Sequence, residues 1–383
     1  MHKRKKIMMV AMPSLHFFRW VEQLKESDFE VYWFDITGAG NFIERISWVH
    51  QITDWKMRWD FPGRIFIKSK FTSFYSVLAK LNERKVAKEF EKVIAKVQPD
   101  IVHSFALYVA CTPILKVMQK NSQLKWIYSS WGSDLYYYQN LPNYLEDIKH
   151  VLQRIDYLIT DCKRDFEIAK NYGFNGSFLG VFPGGGGFDF QQMQALMLPR
   201  SKRNMILVKG YHGRSGRAIA VLKAIQHLEK EIQNFSIVVF GADPEVFEWL
   251  KETELINWNN FKVLGKISHT EVLKLMGRSK IYIGNSNSDG MPNTLLEAIC
   301  MDVFPIQSNP GGATSEVIQD GKNGLLISNC EDVEEIRILI LQSFKKNIYN
   351  NITENSVLKK TLDFENVKIS TIKAYQSILK QHA

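Results

Sequence analysis

The sequence predicts an α/β protein built from two doubly wound parallel-sheet domains that face a cleft. Three observations predict this class. Short apolar strands alternate with helical segments along most of the chain, 383 residues exceed one ordinary core, and four glycines follow Pro183. A glycine run cannot form the interior of a helix or strand, so it marks a domain boundary or hinge. We predict an N-terminal domain over 1–182, a hinge over 183–200, a second domain over 201–364 and a C-terminal helix over 365–383 that packs back on the first domain.

The first half reads as five strands, each followed by a helix or a polar loop. The predicted strands are Lys6–Met12, Phe29–Phe34, Asp100–Phe105, Lys125–Ser129 and Tyr157–Thr160. The predicted helices end near Lys25 and Lys120 or cover Phe74–Val97 and Leu145–Arg154. The predicted helix over Phe74–Val97 stops before Pro99, as expected for the restricted residue ahead of a proline. Residues 35–73 read as irregular and rich in aromatic side chains.

The second half repeats the alternation. Strands are predicted over Met205–Val208, Ser236–Gly241 and Phe261–Leu264, with helices over Ala218–Glu231 and Glu271–Met276. Residues 281–327 then give a strand, a polar loop, a helix, a second strand and a glycine-rich turn. Two or more polar amphipathic helices are predicted from about Glu331 onward.

Composition favours a soluble globular protein of a reducing compartment. Apolar residues make up 45% of the chain and charged residues 23%. The four cysteines show no C-x-x-C pairing, which argues against a zinc site and a disulfide framework. We find no apolar run of about 18 residues, and the N-terminus reads as a first strand, not a signal peptide. We expect a cytoplasmic protein, peripheral on the inner face of the cytoplasmic membrane.

The positive charge is concentrated between Lys56 and Lys96. This region holds eleven Lys and Arg against four Asp and Glu, within a chain of net charge +9. Aromatic residues interleave with the cations: Trp48, Trp55, Trp59, Phe61, Phe66, Phe71, Phe74 and Tyr75. The pattern suits an anionic membrane surface, although nucleic acid offers the same chemistry. The alternative is an ordinary solvated helix with its aromatic residues in the core.

The stretch SDGMPNTLLEA, residues 288–298, is the strongest candidate for a ligand site. Asp289 ends a loop after a strand, and Glu297 lies eight residues later on the following helix. A helix N-terminus offers backbone N–H donors and a positive dipole end, while carboxylates accept hydrogen bonds from hydroxyl groups. This combination suits a ligand with phosphates at one end and a sugar at the other. The alternative for Glu297 is a carboxylate stabilised by the helix dipole.

The loop KGYHGRSGR supplies a second candidate site. Lys209, Arg214 and Arg217 lie among Gly210, Gly213 and Gly216, so the backbone can approach a phosphate that the cations neutralise. The spacing matches neither G-x-G-x-x-G nor a P-loop, so nicotinamide binding and ATP hydrolysis are not supported. A basic surface turn is the alternative. The sequence holds no Asp-x-Asp triplet, so a metal–diphosphate site of that type is not indicated.

Polar and aromatic residues also follow strands of the first half. His16, Phe17 and Trp20 come after the first strand and either line a cleft or pack. His103 ends a buried strand, where a satisfied core histidine is the commoner outcome. In the loop SWGSDLY, Asp134 is either a helix N-cap or a contact to an acceptor.

These motifs together resemble the group 1 (family four) glycosyltransferases, retaining enzymes of the GT-B fold with two Rossmann-like domains. The resemblance is carried by residues 263–327, which include Asp289-Gly290-Met291-Pro292, Glu297, Gly311-Gly312, Glu316 and Asp320-Gly321. The rest of the chain matches more loosely but in order. The first acidic residue is Asp where the family usually has Glu. Trp131 stands where it often has histidine.

The resemblance implies a role for each candidate residue. Glu297 would hold the donor ribose. Asp289 and the backbone of Gly290, Met291, Pro292 and Asn293 would hold the transferred sugar. Lys209, Arg214 or Arg217 would neutralise the diphosphate, with Gly213 and Gly265 also on the donor side. The acceptor side would comprise His16, Phe17, Trp131 and Asp134. Either His103 would take over the role of the missing histidine, or that contact would be absent.

The resemblance thus implies sugar transfer from a nucleotide-diphosphate sugar to a hydroxyl acceptor with retention, in bacterial cell-surface polysaccharide, lipopolysaccharide or glycolipid assembly. It implies no metal, no other cofactor and no nucleic acid partner, and the acceptor would be a glycan or a lipid-linked sugar. Two alternatives stay open: a non-catalytic GT-B partner protein and a nucleotide-sugar isomerase. The sugar, the nucleotide, the acceptor, the linkage and the oligomeric state are not fixed by the sequence.

Overall fold

The computed structural model describes residues 4–59, 62, 64–345 and 356–380. The chain divides into two units. The first comprises Met1–Thr160, Phe166–Gly185 and Lys368–Ala383, and the second comprises Asp161–Asp165 and Gly186–Val367. The chain therefore passes from one unit to the other four times, the last time inside its C-terminal helix.

The first unit is built on a sheet to which the described residues contribute seven strands, every pair of them parallel. The strands are β1 (Lys5–Ala11), β2 (Phe29–Asp35), β3 (His50–Ile52), β4 (Ile101–Phe105), β5 (Lys125–Ser129), β6 (Tyr157–Thr160) and β7 (Ser177–Val181). Their order is β3-β2-β1-β4-β5-β6-β7. All five residues of β4 are buried, as expected for a central strand covered by helices on both faces.

Helices cover this sheet. They are α1 (Leu15–Glu22), α2 (Arg64–Lys70), α3 (Thr72–Asn82), α4 (Val86–Val97), α5 (Leu115–Lys120), α6 (Ser133–Tyr136), α7 (Pro142–Arg154) and α8 (Lys163–Asn171). The Ser14 side chain caps α1 by accepting from the Phe17 N–H at 3.2 Å. The apolar face of α4 buries Phe90, Ile94 and Val97, which recur at helical spacing.

In the described part of the second unit, six parallel strands form the sheet. They are β8 (Met205–Lys209), β9 (Ser236–Phe240), β10 (Phe261–Val263), β11 (Ser279–Gly284), β12 (Phe304–Ser308) and β13 (Leu325–Ile327), in the order β10-β9-β8-β11-β12-β13. The helices are α9 (Phe190–Ala195), α10 (Ala218–Gln226), α11 (Glu229–Ile232), α12 (Pro244–Lys251), α13 (His269–Arg278), α14 (Asn293–Cys300), α15 (Val333–Gln342) and α16 (Ser356–Leu362). The last helix, α17 (Phe364–Lys380), begins in this unit and continues from Lys368 in the first unit. The predicted class of two doubly wound parallel sheets is confirmed.

The glycine run has a local structural reason in the second unit. A Cβ atom on Gly187 would lie 2.5 Å from the Cα atom of Phe364. The next residue, Phe188, donates its N–H to the Leu362 carbonyl at 2.8 Å and accepts from the Phe364 N–H at 3.0 Å. Gly187 thus permits the chain before α17 to pass directly against it. The predicted hinge segment 183–200 contains α9, and the longer segment of the second unit begins at Gly186.

The predicted helix over Phe74–Val97 is wrong, because α3 and α4 are separate helices. Glu83 adopts an extended conformation and forms an isolated antiparallel bridge with Met57. Backbone bonds from Arg58 to Asn82 and from Arg84 to Lys56 extend this pairing. The chain leaves the helix because these residues pair with the segment before α2, a long-range contact that local periodicity does not reveal.

Three further predictions of elements are corrected. The segment before Phe74, read as irregular, contains α2 and the beginning of α3. The helix predicted over Ala218–Glu231 is interrupted after Gln226. Strands β3 and β7 were not predicted, since the first has three residues and the second is interrupted at Gly180, whose φ is +131°.

None of the helices in the described ranges combines the length and the apolar composition needed to cross a bilayer.

Candidate functional site

Two loops at the carboxyl edge of the second sheet lie side by side. They follow the neighbouring strands β8 and β11. The Arg217 N–H donates to the Asn285 carbonyl at 3.0 Å, and the Asn287 N–H donates to the Ser215 carbonyl at 2.9 Å. The carboxyl edge of an open parallel sheet is where α/β proteins bind ligands. The structure therefore brings the two candidate motifs of the second half together.

Lys209 and Asp289 meet between these loops. The Lys209 Nζ atom lies 3.9 Å from Asp289 Oδ2 and 4.6 Å from the centroid of the Tyr211 ring. The side chains of Lys209 and Asp289 keep 17% and 31% of their surface exposed, so both remain accessible to a ligand. A cation and a carboxylate at this spacing can contact an anionic group and a hydroxyl group of one molecule.

Arg217 is held by its own loop and by Glu331. Its guanidinium donates to the carbonyls of Gly213 and Gly216 at 2.8 and 2.7 Å, and it forms an ion pair with Glu331. Arg214 is exposed in the same loop. A ligand phosphate that used Arg217 would replace the Glu331 carboxylate as its partner.

The turn Asp289–Asn293 leads directly into α14. The Gly290 N–H donates to Asp289 Oδ1 at 3.0 Å, and Asn293 is the first residue of the helix after Pro292. The Met291 side chain is buried in the core of the second unit, so this residue can offer only backbone groups to a ligand. Gly265 ends the turn after β10, where its carbonyl accepts from the Gly241 N–H at 3.1 Å.

Asp161 lies beneath this turn. Its Oδ2 atom accepts from the Met291 N–H at 3.2 Å, and a Cβ atom on Gly290 would approach Oδ2 to 2.2 Å. Burial, together with the charges of Asp165 and Asp289, raises the pKa of the Asp161 carboxyl well above its usual range. Glycine at position 290 is therefore required by the space that Asp161 occupies.

Glu297 is 2% exposed and lies on α14. Its Oε1 atom is 2.7 Å from Nε2 of His269, the first residue of α13. An ionised carboxylate only accepts hydrogen bonds, so the Nε2 atom carries the proton in this contact.

His103, predicted to be catalytic, is instead a core residue of the first unit. It is fully buried, its Nδ1 atom lies 2.6 Å from Tyr375 Oη, and its Nε2 atom lies 2.8 Å from Ser129 Oγ. The Trp20 indole N–H donates to Tyr375 Oη at 3.3 Å. Burial lowers the pKa of His103 to about 3.

Two of the residues predicted on the acceptor side are also structural. Phe17 is completely buried. Asp134 is 3% exposed, and its carboxylate accepts from the Leu107 and Trp131 N–H groups and from the Tyr128 hydroxyl at 2.7 to 2.9 Å. His16 is exposed and Trp131 is half-buried, with their ring centroids 5.8 Å apart. Only these two keep an accessible position among the four acceptor-side predictions.

One group of side chains in the described residues has the spacing of a metal site. The ligand atoms of Asp161, Cys162 and Asp165 lie within 4.8 Å of one another, and all three residues are buried. The Arg164 guanidinium contacts Asp165 at 2.7 Å and the Pro310 carbonyl at 2.6 Å. An arginine therefore already supplies a positive charge to this cluster, which does not favour a cation there.

Sequence reasoning missed several residues beside the site. Asp161 and His269 reach Met291 and Glu297 from segments far away in the chain, and Glu331 reaches Arg217 from the segment after β13. His212 lies inside the glycine-rich loop, donates its N–H to Asp243 at 2.8 Å and has a buried Nδ1 atom without a hydrogen-bond partner. For His212, the local signal in the sequence was its position between glycines in a basic loop.

Family models match both halves of the chain. The model described as glycosyl transferases group 1 matches residues 191–357, and the model described as glycosyl transferase 4-like matches residues 6–162. The first range contains Lys209, Asp289 and Glu297. The second contains His16, Trp131 and Asp161.

Among curated proteins, the chain is similar to the GalNAc-α-(1→4)-GalNAc-α-(1→3)-diNAcBac-PP-undecaprenol α-1,4-N-acetyl-D-galactosaminyltransferase of Campylobacter jejuni, at 26% identity over 155 residues. It also matches an uncharacterized glycosyltransferase of Methanocaldococcus jannaschii at 27% identity over 169 residues. These matches cover 39% and 42% of this chain and 42% and 41% of the relatives. The chain thus spans about two fifths of the length of the curated relatives it matches.

Solved structures share the fold. Sucrose-phosphate synthase from Thermosynechococcus elongatus matches with a TM-score of 0.71 and 15% identity, over 99% of this chain and 100% of that one. HepE of Anabaena, solved with UDP and glucose, matches with a TM-score of 0.69 and 12% identity, over 97% and 100%. Both are similar in fold, which is GT-B. Glycosyltransferase models thus match both halves of the chain, and together these matches indicate a group 1 glycosyltransferase.

Proposed function

We propose that this chain transfers a sugar from a nucleotide-diphosphate sugar to a hydroxyl acceptor. The observation that carries the proposal is the meeting of the two loops after β8 and β11. It places Lys209 Nζ 3.9 Å from Asp289 Oδ2. The buried Glu297 lies on α14, the helix that follows the turn after Asp289. A phosphate, a sugar hydroxyl and a ribose hydroxyl of one donor could each find a partner there.

Each of these residues has a distinct task in the proposed reaction. Glu297 accepts hydrogen bonds from the ribose, and Asp289 with the Gly290–Asn293 backbone holds the transferred sugar. Lys209 and Arg217 stabilise the diphosphate as the bond to the anomeric carbon breaks, because fixed cations stabilise negative charge that develops in the transition state. Arg214 is a third cation in the same loop.

We further propose that the anomeric configuration is retained. The site residues of the second unit include no carboxylate that we assign as a covalent nucleophile, since Asp289 is committed to the sugar and Glu297 to the ribose. The acceptor oxygen would attack from the side of the departing diphosphate, whose oxygen accepts its proton. Analysis of the anomeric configuration of the product tests this assignment.

The acceptor is proposed to be lipid-linked, as in assembly of cell-surface polysaccharide or glycolipid at the inner face of the cytoplasmic membrane. The basic region between Lys56 and Lys96 contains exposed apolar side chains and exposed cations. The apolar side chains are Trp59, Phe66, Phe71 and Leu81, and Lys70 is one of the cations. Trp55, by contrast, belongs to the core, and Phe61 lies outside the described residues. The Campylobacter relative acts, by its name, on a glycan carried by PP-undecaprenol.

Release of nucleoside diphosphate tests the transfer reaction. The full chain is incubated with UDP-, GDP- and ADP-sugars, and the free nucleoside diphosphate is measured. We expect release with one donor, and loss of it in Glu297→Ala and in Arg217→Ala. The exposed Glu248→Ala variant, in α12, serves as a matched control. Wild-type rates in both site variants would overturn the proposal, and interconversion of the donor sugar without an acceptor would indicate an isomerase.

Vesicle binding tests the membrane assignment. We expect the wild type to sediment with vesicles containing anionic lipid and to be released by salt. The variant Phe66→Ser/Phe71→Ser/Lys70→Glu should lose this binding while keeping its melting temperature, because all three side chains are exposed. Equal binding of wild type and variant would rule out this surface.

A further inference from the structure

We infer that His269 is a positioning residue that orients the carboxylate of Glu297 toward the ribose of the donor. The inference rests on the proposed function and adds a residue to that site. It starts from the 2.7 Å contact between His269 Nε2 and Glu297 Oε1.

The position of His269 is fixed by its helix. Ser268 caps α13, with its Oγ atom accepting from the Glu271 N–H at 3.2 Å. This places His269 at the first position of the helix, at the same edge of the sheet as the N-terminus of α14. There its Nε2 atom faces Oε1 of Glu297 at 2.7 Å, the distance of a hydrogen bond.

Glu297 needs such a partner. A carboxylate that is 2% exposed has lost most of its contact with water, and donors in the protein must compensate for that loss. The hydrogen bond to Oε1 also fixes the plane of the carboxylate, and therefore the direction in which the other oxygen faces. His269 keeps 33% of its side chain exposed, so it links the buried acid to the accessible side of the site.

The consequence is selectivity for a ribose that carries hydroxyl groups. If His269 acts only through Glu297, its removal weakens the part of the binding that comes from ribose hydroxyls. Contacts with the base and the phosphates remain. A ligand that lacks those hydroxyls should bind the wild type and the His269 variant with the same affinity.

Calorimetric titration of the full chain with UDP, GDP and ADP, and with their 2′,3′-dideoxy forms, tests this. We expect His269→Ala to weaken the ribonucleotide by about tenfold or more, the scale of a hydrogen bond to a charged group. The dideoxy form should bind both proteins equally. His269→Gln should restore binding, because its amide N–H reaches the place of Nε2, whereas His269→Asn should not.

His227→Ala, at the exposed end of α10, is the matched control and should bind as the wild type does. An equal loss for the ribo and dideoxy forms, or unchanged affinity in His269→Ala, would overturn the role of His269 and leave the proposed function standing. A wild type that binds none of the nucleotides would overturn both.

Discussion

At the residue scale, the position of the turn Asp289–Asn293 depends most directly on Gly290. A Cβ atom there would lie 2.2 Å from Asp161 Oδ2. Gly290→Ala therefore forces Asp161 away from the Met291 N–H or displaces the turn. We expect a free energy of unfolding lower by about 1–3 kcal/mol, as for other overpacked sites. Chemical denaturation and the rate of nucleoside diphosphate release measure the two effects.

Gly265→Ala is the control for the change in the free energy of unfolding, since its Cβ atom would meet Phe247 at an ordinary 3.8 Å. The double variant Gly290→Ala/Asp161→Ala provides the space that the single variant lacks. It should be more stable than the sum of the two single effects predicts. Additive effects would show that Asp161 is not the obstacle.

The buried His103 makes stability depend on acidity. Its pKa is about 3 in the folded chain, while an exposed histidine titrates near 6.5. Between these values the unfolded chain binds a proton that the folded chain does not, so stability falls as the pH is lowered through this window. His103→Gln should show a smaller loss between pH 6.5 and pH 4 in urea denaturation. The same pH dependence in both proteins would contradict this.

At the residue scale, the sequence distinguished candidate ligand-binding residues from core residues only in part. Lys209 and Asp289 were predicted in two separate motifs that the family resemblance assigns to one donor site, and the structure brings them together. His103 lies within β4, and Phe17 and Asp134 lie on the helices after β1 and β5, yet all three are buried. The difference lies in residues remote in sequence, such as Tyr375 beside His103, which no local pattern reveals.

At the scale of elements, Glu331 ties the loop after β8 to the segment after β13 through Arg217. This carboxylate is 61% exposed and pairs with Arg217. If Arg217 serves the diphosphate, Glu331→Gln removes a competitor, and nucleoside diphosphate should bind about twofold to fivefold more tightly, the scale of an exposed ion pair. Glu334→Gln, whose pair with Arg337 lies within α15, should leave binding unchanged. Weaker binding in Glu331→Gln would show that the pair supports the loop.

Elements with strong local signals were predicted best. The strands β1, β4, β5 and β6 are largely buried and mostly apolar, and they were predicted close to their observed bounds. The break between α3 and α4 was missed because it is caused by the pairing of Glu83 with Met57, which lies 26 positions earlier in the chain. Contacts between distant segments, not weak propensity, limit such predictions.

At the scale of the whole molecule, the first unit is completed by the end of the chain. Tyr375, on α17, is 1% exposed and lies between Trp20 and His103. Tyr375→Phe leaves His103 Nδ1 and the Trp20 indole without this partner. We expect a loss of about 1–3 kcal/mol in the free energy of unfolding, the cost of unsatisfied buried polar groups.

Urea denaturation of the full chain measures that loss, with the exposed Tyr144→Phe as the control. A loss no larger than that of the control would contradict the role of the hydroxyl group. The sequence predicted that a C-terminal helix packs back on the first domain, although it offered no signal for Tyr375 as the contact.

The contribution of Tyr375 has a consequence for biosynthesis. The strands of the first unit leave the ribosome first, but residues 368–380 of the same unit are translated after the whole of the second unit. Domains usually fold as they emerge. Here the second unit can finish before the first, because His103 and Trp20 of the first unit contact Tyr375, which is translated after the second unit.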